Sequence, residues 1–558
     1  MKLLLAAVNA KYIHSNLAVY SLRACATEYE KQIGIAEYTI NHRAEAILAD
    51  LYKRGPQVIA FSCYIWNWKI VQELLRELPK VMPDTAIWLG GPEVSYYSTV
   101  ILKQYPQLTG IMVGEGEETF SELAEHYCTG GKQLTEIAGL CLPGTGLTGV
   151  RAPVDIDRIP FIYENVSQFV NRIIYYETSR GCPYRCSYCM SSIEKGVRLR
   201  SLAKVKQELA FFLEQKVPQV KLIDRTFNCN HEHALEIWKF LLENDNGITN
   251  FHFEVSADIL TEEELDVLRE MRPGLVQLEI GVQSVNPHTI REIRRVMDLD
   301  RLEYAVGRVR ERGNIHIHLD LIAGLPYETY ESFVRSFNCV YAMEPTQLQL
   351  GFLKVLKGSE MYEKAADYGI AYSDGPPYEV LYSRWLSYEE LLELKKVEEM
   401  LELYYNSGQF RQTLKVLVKA FQSPYHLYQS LARYYERQGY FLNSPARVYR
   451  YQVLLDFAGV ADEGRTDLYR ELLTFDLYLR EKCKSRPAFA RDLSPYQKEL
   501  KSRTVDKREH LDVFSYKVWE ENPENLKLRQ NSNLIVRFNY DRRNAVNHEA
   551  QVTVEAEV

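Results

Sequence analysis

The sequence of 558 residues predicts an α/β protein in three parts. These are an N-terminal doubly wound, Rossmann-like domain, a partial (β/α)6 barrel, and a mostly helical C-terminal domain that ends in a short strand pair. In the first two parts, short apolar strands alternate with helical patterns, which is typical of parallel sheets covered by helices. From about Tyr372 onward, helical patterns dominate. The chain is also too long for a single hydrophobic core.

The expected domain bounds lie where these patterns change. Residues 1–145 form the doubly wound domain, 146–168 a linker, 169–370 the barrel and 371–558 the C-terminal domain. The linker is expected because glycine and proline cluster in Leu140–Pro160. The predicted strands of the first domain are Lys2–Val8, Ile33–Ile40, Val58–Tyr64, Ala86–Leu89 and Gly110–Val113. The predicted barrel strands are Ile173–Thr178, Val220–Asp224, Phe251–Ser256, Val276–Val282, Ile315–Ile322 and Leu348–Val355. The predicted C-terminal pair is Asn533–Tyr540 and Ala550–Glu555.

Charge and composition exclude several classes of function. The formal net charge is −8, so the chain has no bulk attraction to nucleic acid or to an anionic membrane. No apolar stretch approaches the roughly 18 residues that a membrane span needs. The apolar run near the N-terminus is short and is followed by Lys11 and His14, which favours a buried strand over a signal peptide. We therefore expect a cytoplasmic protein without nucleic-acid or membrane partners.

Three of the ten cysteines crowd together directly after the first predicted barrel strand. Cys182, Cys186 and Cys189 have the spacing CxxxCxxC, which random placement would rarely produce. Three thiolates can bind three irons of a [4Fe–4S] cluster and leave the fourth iron open for chemistry. A structural zinc site is the alternative. It needs a fourth protein ligand, and the next cysteine, Cys229, lies far downstream.

With Tyr188 before the last cysteine, at the end of the first strand of a six-stranded barrel, this motif resembles that of the radical SAM (S-adenosylmethionine) superfamily. The resemblance covers about residues 170–360. It implies that Cys182, Cys186 and Cys189 hold a [4Fe–4S] cluster whose open iron chelates SAM. One electron from the cluster would then cleave SAM to a 5′-deoxyadenosyl radical, which removes a hydrogen atom from the substrate.

The resemblance also implies which residues contact SAM. Polar residues or glycines follow several predicted barrel strands, at the end where a barrel of this type carries its chemistry. The expected SAM contacts are Tyr188, Met190, Asp224, Glu254, Ser256, Gln283, Gly324 and Pro326. After the third cysteine, many members have a Gly-Gly-Glu-like segment, but this chain has Met190-Ser191-Ser192. We therefore expect only backbone groups of that segment to serve.

A doubly wound domain before such a barrel resembles the cobalamin-binding class of the superfamily. The expected cobalamin contacts are Ser62, Tyr64, Gly90, Gly91, Pro92, Gly114, Glu115 and Gly116. Many cobalamin domains carry an Asp-x-His-x-x-Gly motif whose histidine ligates cobalt, and this chain lacks it. The resemblance therefore implies that no histidine is the lower ligand, with His14 and His42 as alternatives. A second interpretation is a domain that has lost its cofactor and only shapes the substrate channel.

The C-terminal region resembles an uncharacterised extension of some cobalamin-type radical SAM proteins, through the segment Phe538–Arg543. Together the resemblances predict a cobalamin-dependent methyltransferase that methylates an unactivated carbon. They imply a small-molecule or peptide substrate and an electron donor such as flavodoxin or ferredoxin. Two alternatives stay open. One is a radical rearrangement, cyclisation or epimerisation without methyl transfer, and the other is an iron–sulfur redox sensor or scaffold protein.

Overall fold

Three larger sheets organise the computed structural model, which describes residues 2–193, 196–503, 506–520 and 533–557. The first sheet belongs to the N-terminal domain, the second forms the barrel, and the third closes the C-terminal domain. This arrangement confirms the predicted fold class. Within the described ranges, no helix is both long and apolar enough to cross a membrane.

The N-terminal domain is a sheet with a buried apolar cluster on each face. Its strands are β1 (Leu3–Asn9), β2 (Ile33–Thr39), β3 (Val58–Ser62), β4 (Ala86–Gly90), β5 (Gly110–Met112), β6 (Leu140–Leu142) and β7 (Gly146–Leu147). Its helices are α1 (Leu17–Cys25), α2 (Ala44–Arg54), α3 (Trp68–Val81), α4 (Pro92–Ser95), α5 (Ser98–Gln104) and α6 (Glu117–Thr129). The parallel strands have the order β2-β1-β3-β4-β5. The winding therefore reverses between β1 and β3, and such sheets bind ligands at the carboxyl ends of the strands beside this point.

The expected linker begins too early, because residues 140–147 belong to this sheet. Strand β6 pairs antiparallel with β5, and β7 pairs antiparallel with β6. The buried side chains of β6 cover the edge that β5 would otherwise expose. Glycines in this segment predict a linker, but Gly144 and Gly146 have positive φ angles and instead shape the tight turn between two strands.

Six parallel strands form the partial barrel, in the order β8-β11-β12-β13-β14-β15, as predicted. The strands of this part are β8 (Ile174–Tyr176), β9 (Ser179–Cys182), β10 (Gly196–Leu199), β11 (Gln219–Leu222), β12 (Asn250–Val255), β13 (Val276–Gln283), β14 (His316–Ala323), β15 (Gln347–Phe352), β16 (Ala371–Tyr372) and β17 (Val380–Tyr382). Its helices are α7 (Leu202–Glu214), α8 (His231–Glu243), α9 (Glu262–Glu270), α10 (Pro287–Glu292), α11 (Leu299–Arg310), α12 (Tyr330–Ala342) and α13 (Glu360–Lys364). The antiparallel hairpins β9–β10 and β16–β17 were not predicted.

The C-terminal domain packs helices against a small antiparallel sheet. Its helices are α14 (Tyr388–Met400), α15 (Arg411–Leu417), α16 (Pro424–Gln438), α17 (Tyr449–Ala461), α18 (Thr466–Arg480) and α19 (Gln497–Ser502). Its strands are β18 (Glu509–Phe514), β19 (Leu534–Arg543) and β20 (Ala550–Glu557). The expected strand pair is thus a three-stranded sheet in the order β18-β19-β20. The sequence prediction missed β18 because its central Asp512 is buried, which breaks the apolar pattern of an inner strand.

One continuous apolar core joins the barrel to the C-terminal domain. Buried tyrosines of the C-terminal helices form much of the contact, and their hydroxyls pair with one another. The hydroxyl groups of Tyr330 and Tyr425 are 2.7 Å apart, and those of Tyr404 and Tyr435 are 2.5 Å apart. Because each ring buries apolar area while its hydroxyl keeps a partner, these residues are suited to packing helices together.

Candidate active site

The three clustered cysteines lie in the loop of the β9–β10 hairpin. Cys182 ends β9 and pairs in register with Gly196 of β10. Gly181 has a φ angle of +101°, and a Cβ atom there would overlap the carbonyl oxygen of Gly196. Only glycine fits this close approach of two strands. The residue before the first cysteine therefore fixes where the cysteine loop leaves the barrel.

The three thiols lie on one loop and suit the predicted cluster. A [4Fe–4S] cluster takes cysteine thiolates as ligands, and three of them leave one iron open. A closed tetrahedral zinc site needs a fourth protein ligand. The ligand role of Cys182, Cys186 and Cys189 stays a prediction.

Two buried polar atoms beside the cysteine loop have no hydrogen-bond partner among the described residues. These are the buried atoms Nε of Arg295 and Oε1 of Gln283. Gln283 stands at a bulge of β13 with a φ angle of +72°, and Arg295 donates to the carbonyl of Gly281 on the same bulge. Buried polar atoms are normally paired. Their position suits contacts to a bound ligand, and the SAM contact expected of Gln283 stays a prediction. Sequence reasoning missed Arg295.

The sulfur atoms have both charged and neutral polar neighbours. Burial raises the pKa of the Cys186 thiol, and the guanidinium of Arg295 opposes that rise. The Cys182 sulfur lies 3.5 Å from the hydroxyl of Thr226. Tyr188 is half-buried beside Arg295 and Cys186, and desolvation raises its pKa well above the ordinary range. Cation, hydroxyl and phenol therefore all lie close to the sulfurs that would carry the cluster.

Asp224 anchors the start of the hairpin. Its carboxylate accepts hydrogen bonds from the backbone N–H of Thr178 (3.1 Å), the hydroxyl of Thr178 (2.6 Å) and the hydroxyl of Ser179 (2.5 Å). Burial raises its pKa to about 6, although these donors oppose the rise. Nε2 of His233, a buried histidine in the first turn of α8, lies 3.3 Å from the same threonine hydroxyl. These contacts make Asp224 a positioning residue, and its expected contact with SAM stays a prediction.

The other predicted SAM residues lie around the same end of the barrel. Glu254 points between strands, and burial, together with the nearby carboxylate of Glu279, raises its pKa to about 7. The Ser256 hydroxyl donates to Asp258 at 2.7 Å. Gly324 and Pro326 are buried, and a Cβ atom at Gly324 would lie 2.7 Å from a methyl carbon of Val380. Met190 begins a short 3₁₀ turn that faces the N-terminal domain.

All eight predicted cobalamin residues line one cavity of about 460 Å³. They are Ser62, Tyr64, Gly90, Gly91, Pro92, Gly114, Glu115 and Gly116. The opposite wall comes from the barrel and includes Ser179, Arg180, Gly181 and Met190. The cavity therefore lies at the switch point of the N-terminal sheet and touches the cysteine hairpin.

Two glycines show how this cavity is kept open. Gly91 has a φ angle of +106°, and a Cβ atom there would lie 2.6 Å from the carbonyl oxygen of Cys63. Gly114 has a φ angle of +80° with no atom within 4 Å of where its Cβ would be. Backbone without side chains lets a large flat ligand approach the strand ends closely. The loops therefore fit the cofactor that the sequence predicts.

Ion pairs join the two walls of the cavity. Glu115 pairs with Arg198 and with Arg180, at 3.2 Å for the latter, and accepts the backbone N–H of Val154 at 2.6 Å. Arg180 also pairs with Glu117 at 2.9 Å. Burial favours the neutral form of Glu115, but the two arginines and this N–H outweigh burial and lower its pKa. Glu115 thus ties the hairpin to the N-terminal domain, a role that sequence reasoning did not foresee.

The two alternative histidines are occupied elsewhere. Nδ1 of His14 lies 2.5 Å from the hydroxyl of Tyr175, where the loop after β1 meets the start of β8. His42 accepts the backbone N–H of Thr39 at 2.9 Å. Neither is among the described residues that line the cavity. The expectation that no histidine serves as a lower ligand stays a prediction.

Comparison with known families divides the chain in the same way. The B12 binding domain model matches residues 3–124, the Radical SAM superfamily model matches 176–340, and a model described as a protein of unknown function (DUF4080) matches 366–553. The chain thus carries a B12 binding domain followed by a domain of the radical SAM superfamily and a C-terminal domain of unknown function. The predicted cofactor classes, an iron–sulfur cluster with SAM and cobalamin, are those of the matched domains. The residues that hold them and the domain bounds stay predictions.

Two curated relatives and one solved structure illustrate the similarity. The cobalamin-dependent radical SAM methyltransferase TokK of Streptomyces tokunonensis is 24% identical over 302 residues, 50% of this chain and 44% of that protein. The anaerobic magnesium-protoporphyrin IX monomethyl ester cyclase of Rubrivivax gelatinosus is 22% identical over 319 residues, 53% and 56% of the two chains. The chain spans about half the length of the curated relatives it matches.

Among solved structures, the cobalamin-dependent S-adenosylmethionine radical enzyme OxsB superposes with a TM-score of 0.57 at 16% identity. The match covers 85% of this chain and 79% of that one. At this identity the likeness concerns the fold. It extends past the barrel, so the order of doubly wound domain and barrel is a shared architecture.

Proposed function

We propose that the chain is a cobalamin-dependent radical SAM methyltransferase that methylates an unactivated carbon of a small molecule or a peptide. One observation carries the proposal: the predicted cobalamin residues and the base of the cysteine hairpin line the same cavity. The cluster would supply the electron that cleaves SAM, and cobalamin would supply the methyl group that is transferred. A low-potential donor such as flavodoxin or ferredoxin would reduce the enzyme.

The chain's own residues would hold and orient these groups. Cys182, Cys186 and Cys189 would hold the cluster, and Asp224 would keep the base of their hairpin in place through Thr178. The glycine loops would let the second cofactor lie against the N-terminal sheet. The Arg180 ion pairs would keep the two walls together, so that both cofactors face one reaction space.

A second function draws on a specific observation. One relative with similarity over 53% of this chain is a cyclase, not a methyltransferase. The same barrel and B12-binding domain could therefore serve a radical cyclisation. The two functions differ in their products, because methyl transfer consumes a second SAM to remethylate cobalt and releases S-adenosylhomocysteine, whereas cyclisation does not.

The test uses the full-length chain, assembled anaerobically with iron, sulfide and hydroxocobalamin, with SAM and a chemical reductant. We expect 5′-deoxyadenosine to accumulate, about one S-adenosylhomocysteine per corrin to form as the reduced cobalt takes a methyl group from SAM, and one corrin per chain in the absorption spectrum. 5′-Deoxyadenosine alone would overturn methyl transfer and favour the cyclase alternative. Cys186→Ala should abolish SAM cleavage, while Cys483→Ala, a matched change outside the hairpin, should retain it. Cleavage that survives Cys186→Ala would overturn the radical SAM assignment of the loop.

A further inference from the structure

The interior of the barrel carries a second set of metal-binding side chains, which the proposed reaction does not use. Glu279 of β13 and His318 and Asp320 of β14 each offer one ligand atom, and these three atoms lie within 4.8 Å of one another. Glu279 and His318 are partners in the β13–β14 register. Asp320 lies two residues beyond His318 and so faces the same side of the sheet. The fold therefore brings three potential ligands to one point.

The atoms at this point are buried but lack aligned hydrogen bonds. The side chain of His318 is 9% exposed, and its Nε2 lies 2.9 Å from Oδ1 of Asp320. Neither of these two atoms has a hydrogen-bond partner within the described chain. Nε2 of His252, on β12, is likewise buried without one, although it lies 2.9 Å from Oε2 of Glu279. Buried polar atoms without partners are rare. Here three side chains carry such an atom and a fourth, Glu279, lies in close contact with one of them. This concentration indicates a missing ligand.

The charges around these three ligand atoms favour the binding of a cation. The carboxylates of Glu254, Glu279 and Asp320 all line this part of the barrel. The ammonium group of Lys221 lies 3.0 Å from Glu279 and 3.9 Å from Glu254. Three half-buried carboxylates beside one lysine leave an excess of negative charge, which a further positive charge would compensate. A dication at the centre would do so.

The donor types narrow the choice of cation. Imidazole nitrogens with carboxylate oxygens are the ligands that Zn²⁺, Mn²⁺ and Fe²⁺ take, whereas Mg²⁺ and Ca²⁺ prefer oxygen alone. In a tetrahedral zinc site with bonds of about 2.1 Å, neighbouring ligand atoms lie about 3.4 Å apart. The 2.9 Å separations seen here need to open by only a few tenths of an ångström.

We propose that Glu279, His318 and Asp320 bind one divalent transition-metal ion inside the barrel, and that His252, which lies 2.9 Å from Glu279 but outside this group of three, moves in as the fourth ligand. The site is distinct from the cysteine loop, and it adds a metal to those that the proposed function requires. A four-coordinate site closed by protein ligands is structural. The ion would join β12, β13 and β14 beneath the Gly281 carbonyl that Arg295 contacts.

The test is a zinc titration of full-length protein whose cluster has first been assembled, so that the cysteines are occupied. After anaerobic gel filtration, iron and zinc are measured by mass spectrometry. We expect one zinc per chain in the wild type and at least a 10-fold weaker affinity in His318→Gln, with iron content unchanged. His316→Gln is the matched control, since His316 is a half-buried histidine of the same strand outside the group of three.

Two further variants keep the outcome decisive. Asp320→Asn changes a partly exposed ligand and should also weaken zinc at least 10-fold, even if His318→Gln fails to fold. A chain with all three hairpin cysteines replaced by alanine should keep its zinc but lose its iron, which separates this site from the proposed catalytic cluster. The proposal is overturned if wild-type protein retains no zinc above the buffer, or if His318→Gln and Asp320→Asn both bind it as tightly as the wild type.

Discussion

The barrel mouth and the C-terminal domain each bury one aspartate against one threonine. Asp224 accepts the backbone N–H and the hydroxyl of Thr178, and Asp476 accepts the backbone N–H and the hydroxyl of Thr413. Both carboxylates are about 1% exposed. Burial raises the pKa of the first to about 6 and of the second to about 7.

The two regions differ in the structural element to which the threonine belongs or leads. Thr178 leads directly into β9 and the cysteine loop, whereas Thr413 lies in the first turn of α15. In the barrel the contact therefore fixes the start of the cysteine loop. In the C-terminal domain it satisfies two free N–H groups at a helix start, which is the ordinary role of a capping carboxylate. Loss of this contact should therefore lower activity in the barrel, and it should lower only stability in the C-terminal domain.

The largest effect is expected from Asp224→Ala. The change leaves the buried donors of Thr178 and Ser179 without an acceptor, and each such group costs about 1–3 kcal/mol. Positioning partners of metal ligands typically contribute 10–100-fold, so we expect SAM cleavage per chain to fall by about 100-fold. The measurement is 5′-deoxyadenosine formed by reconstituted protein, together with its iron content.

A change of fold must be separated from a change at the hairpin. Circular dichroism and corrin binding should stay close to wild type in Asp224→Ala, because the N-terminal loops do not contact this carboxylate. Full iron content with unchanged cleavage would contradict the positioning role and leave Asp224 as a spectator.

Asp476→Ala should affect the other region only. It removes the acceptor of the backbone N–H groups of Gln412 and Thr413, which lie 3.0 and 2.9 Å from the carboxylate. We expect the local stability of α15 to fall by about 3 kcal/mol. Hydrogen exchange of the α15 amides should then accelerate by about 100-fold. SAM cleavage per folded chain should stay within about 2-fold of wild type, and a loss as large as that of Asp224→Ala would break the comparison.

The fold could be read from the sequence where strands are buried on both faces. Val58–Ser62 is such a strand, and its apolar run was sufficient. Strand β10 was missed because its four residues are exposed or half-exposed, so no alternation marks them. Strand β18 was missed because buried Asp512 pairs with Arg486, a residue far away in the sequence. Apolar patterns in the sequence show which face of a strand or helix is buried. They carry no signal for ion pairs between residues that are distant in the sequence.

The candidate site divides in the same way. Spacing alone identified the cysteines, and glycines after strand ends identified the loops that line the cavity. Arg295 reaches the hairpin from the loop between α10 and α11, and no motif marks it. The strand-end position of Asp224 was predicted correctly. Its burial and its three donors were not, because they depend on where β8 turns into β9.

The pH dependence offers a finer comparison. Asp476 has a folded pKa of about 7 against an ordinary value of 3.8. Between these values the folded protein holds a proton that the unfolded chain releases, so this residue lowers stability as the pH rises through the window. Asp476→Asn removes that titration. Relative to wild type, we expect the variant to gain about 2 kcal/mol in α15 protection between pH 5 and pH 8. A difference that does not change with pH would refute the raised pKa.

The smallest expected effects come from the two threonine hydroxyls. Thr178→Val and Thr413→Val each delete one hydrogen bond to a buried carboxylate while keeping the side-chain shape, and each should cost about 1–2 kcal/mol. We expect Thr178→Val to lower SAM cleavage by about 10-fold and to leave α15 exchange unchanged. Thr413→Val should accelerate α15 exchange by a similar factor and leave cleavage unchanged. The hydroxyl of Thr178 also lies 3.3 Å from His233, so the barrel variant disturbs one contact more than its partner. If both variants act only on stability, the barrel aspartate is a cap like the other, and the cysteine loop must be placed by Gly181 and the Arg180 ion pairs instead.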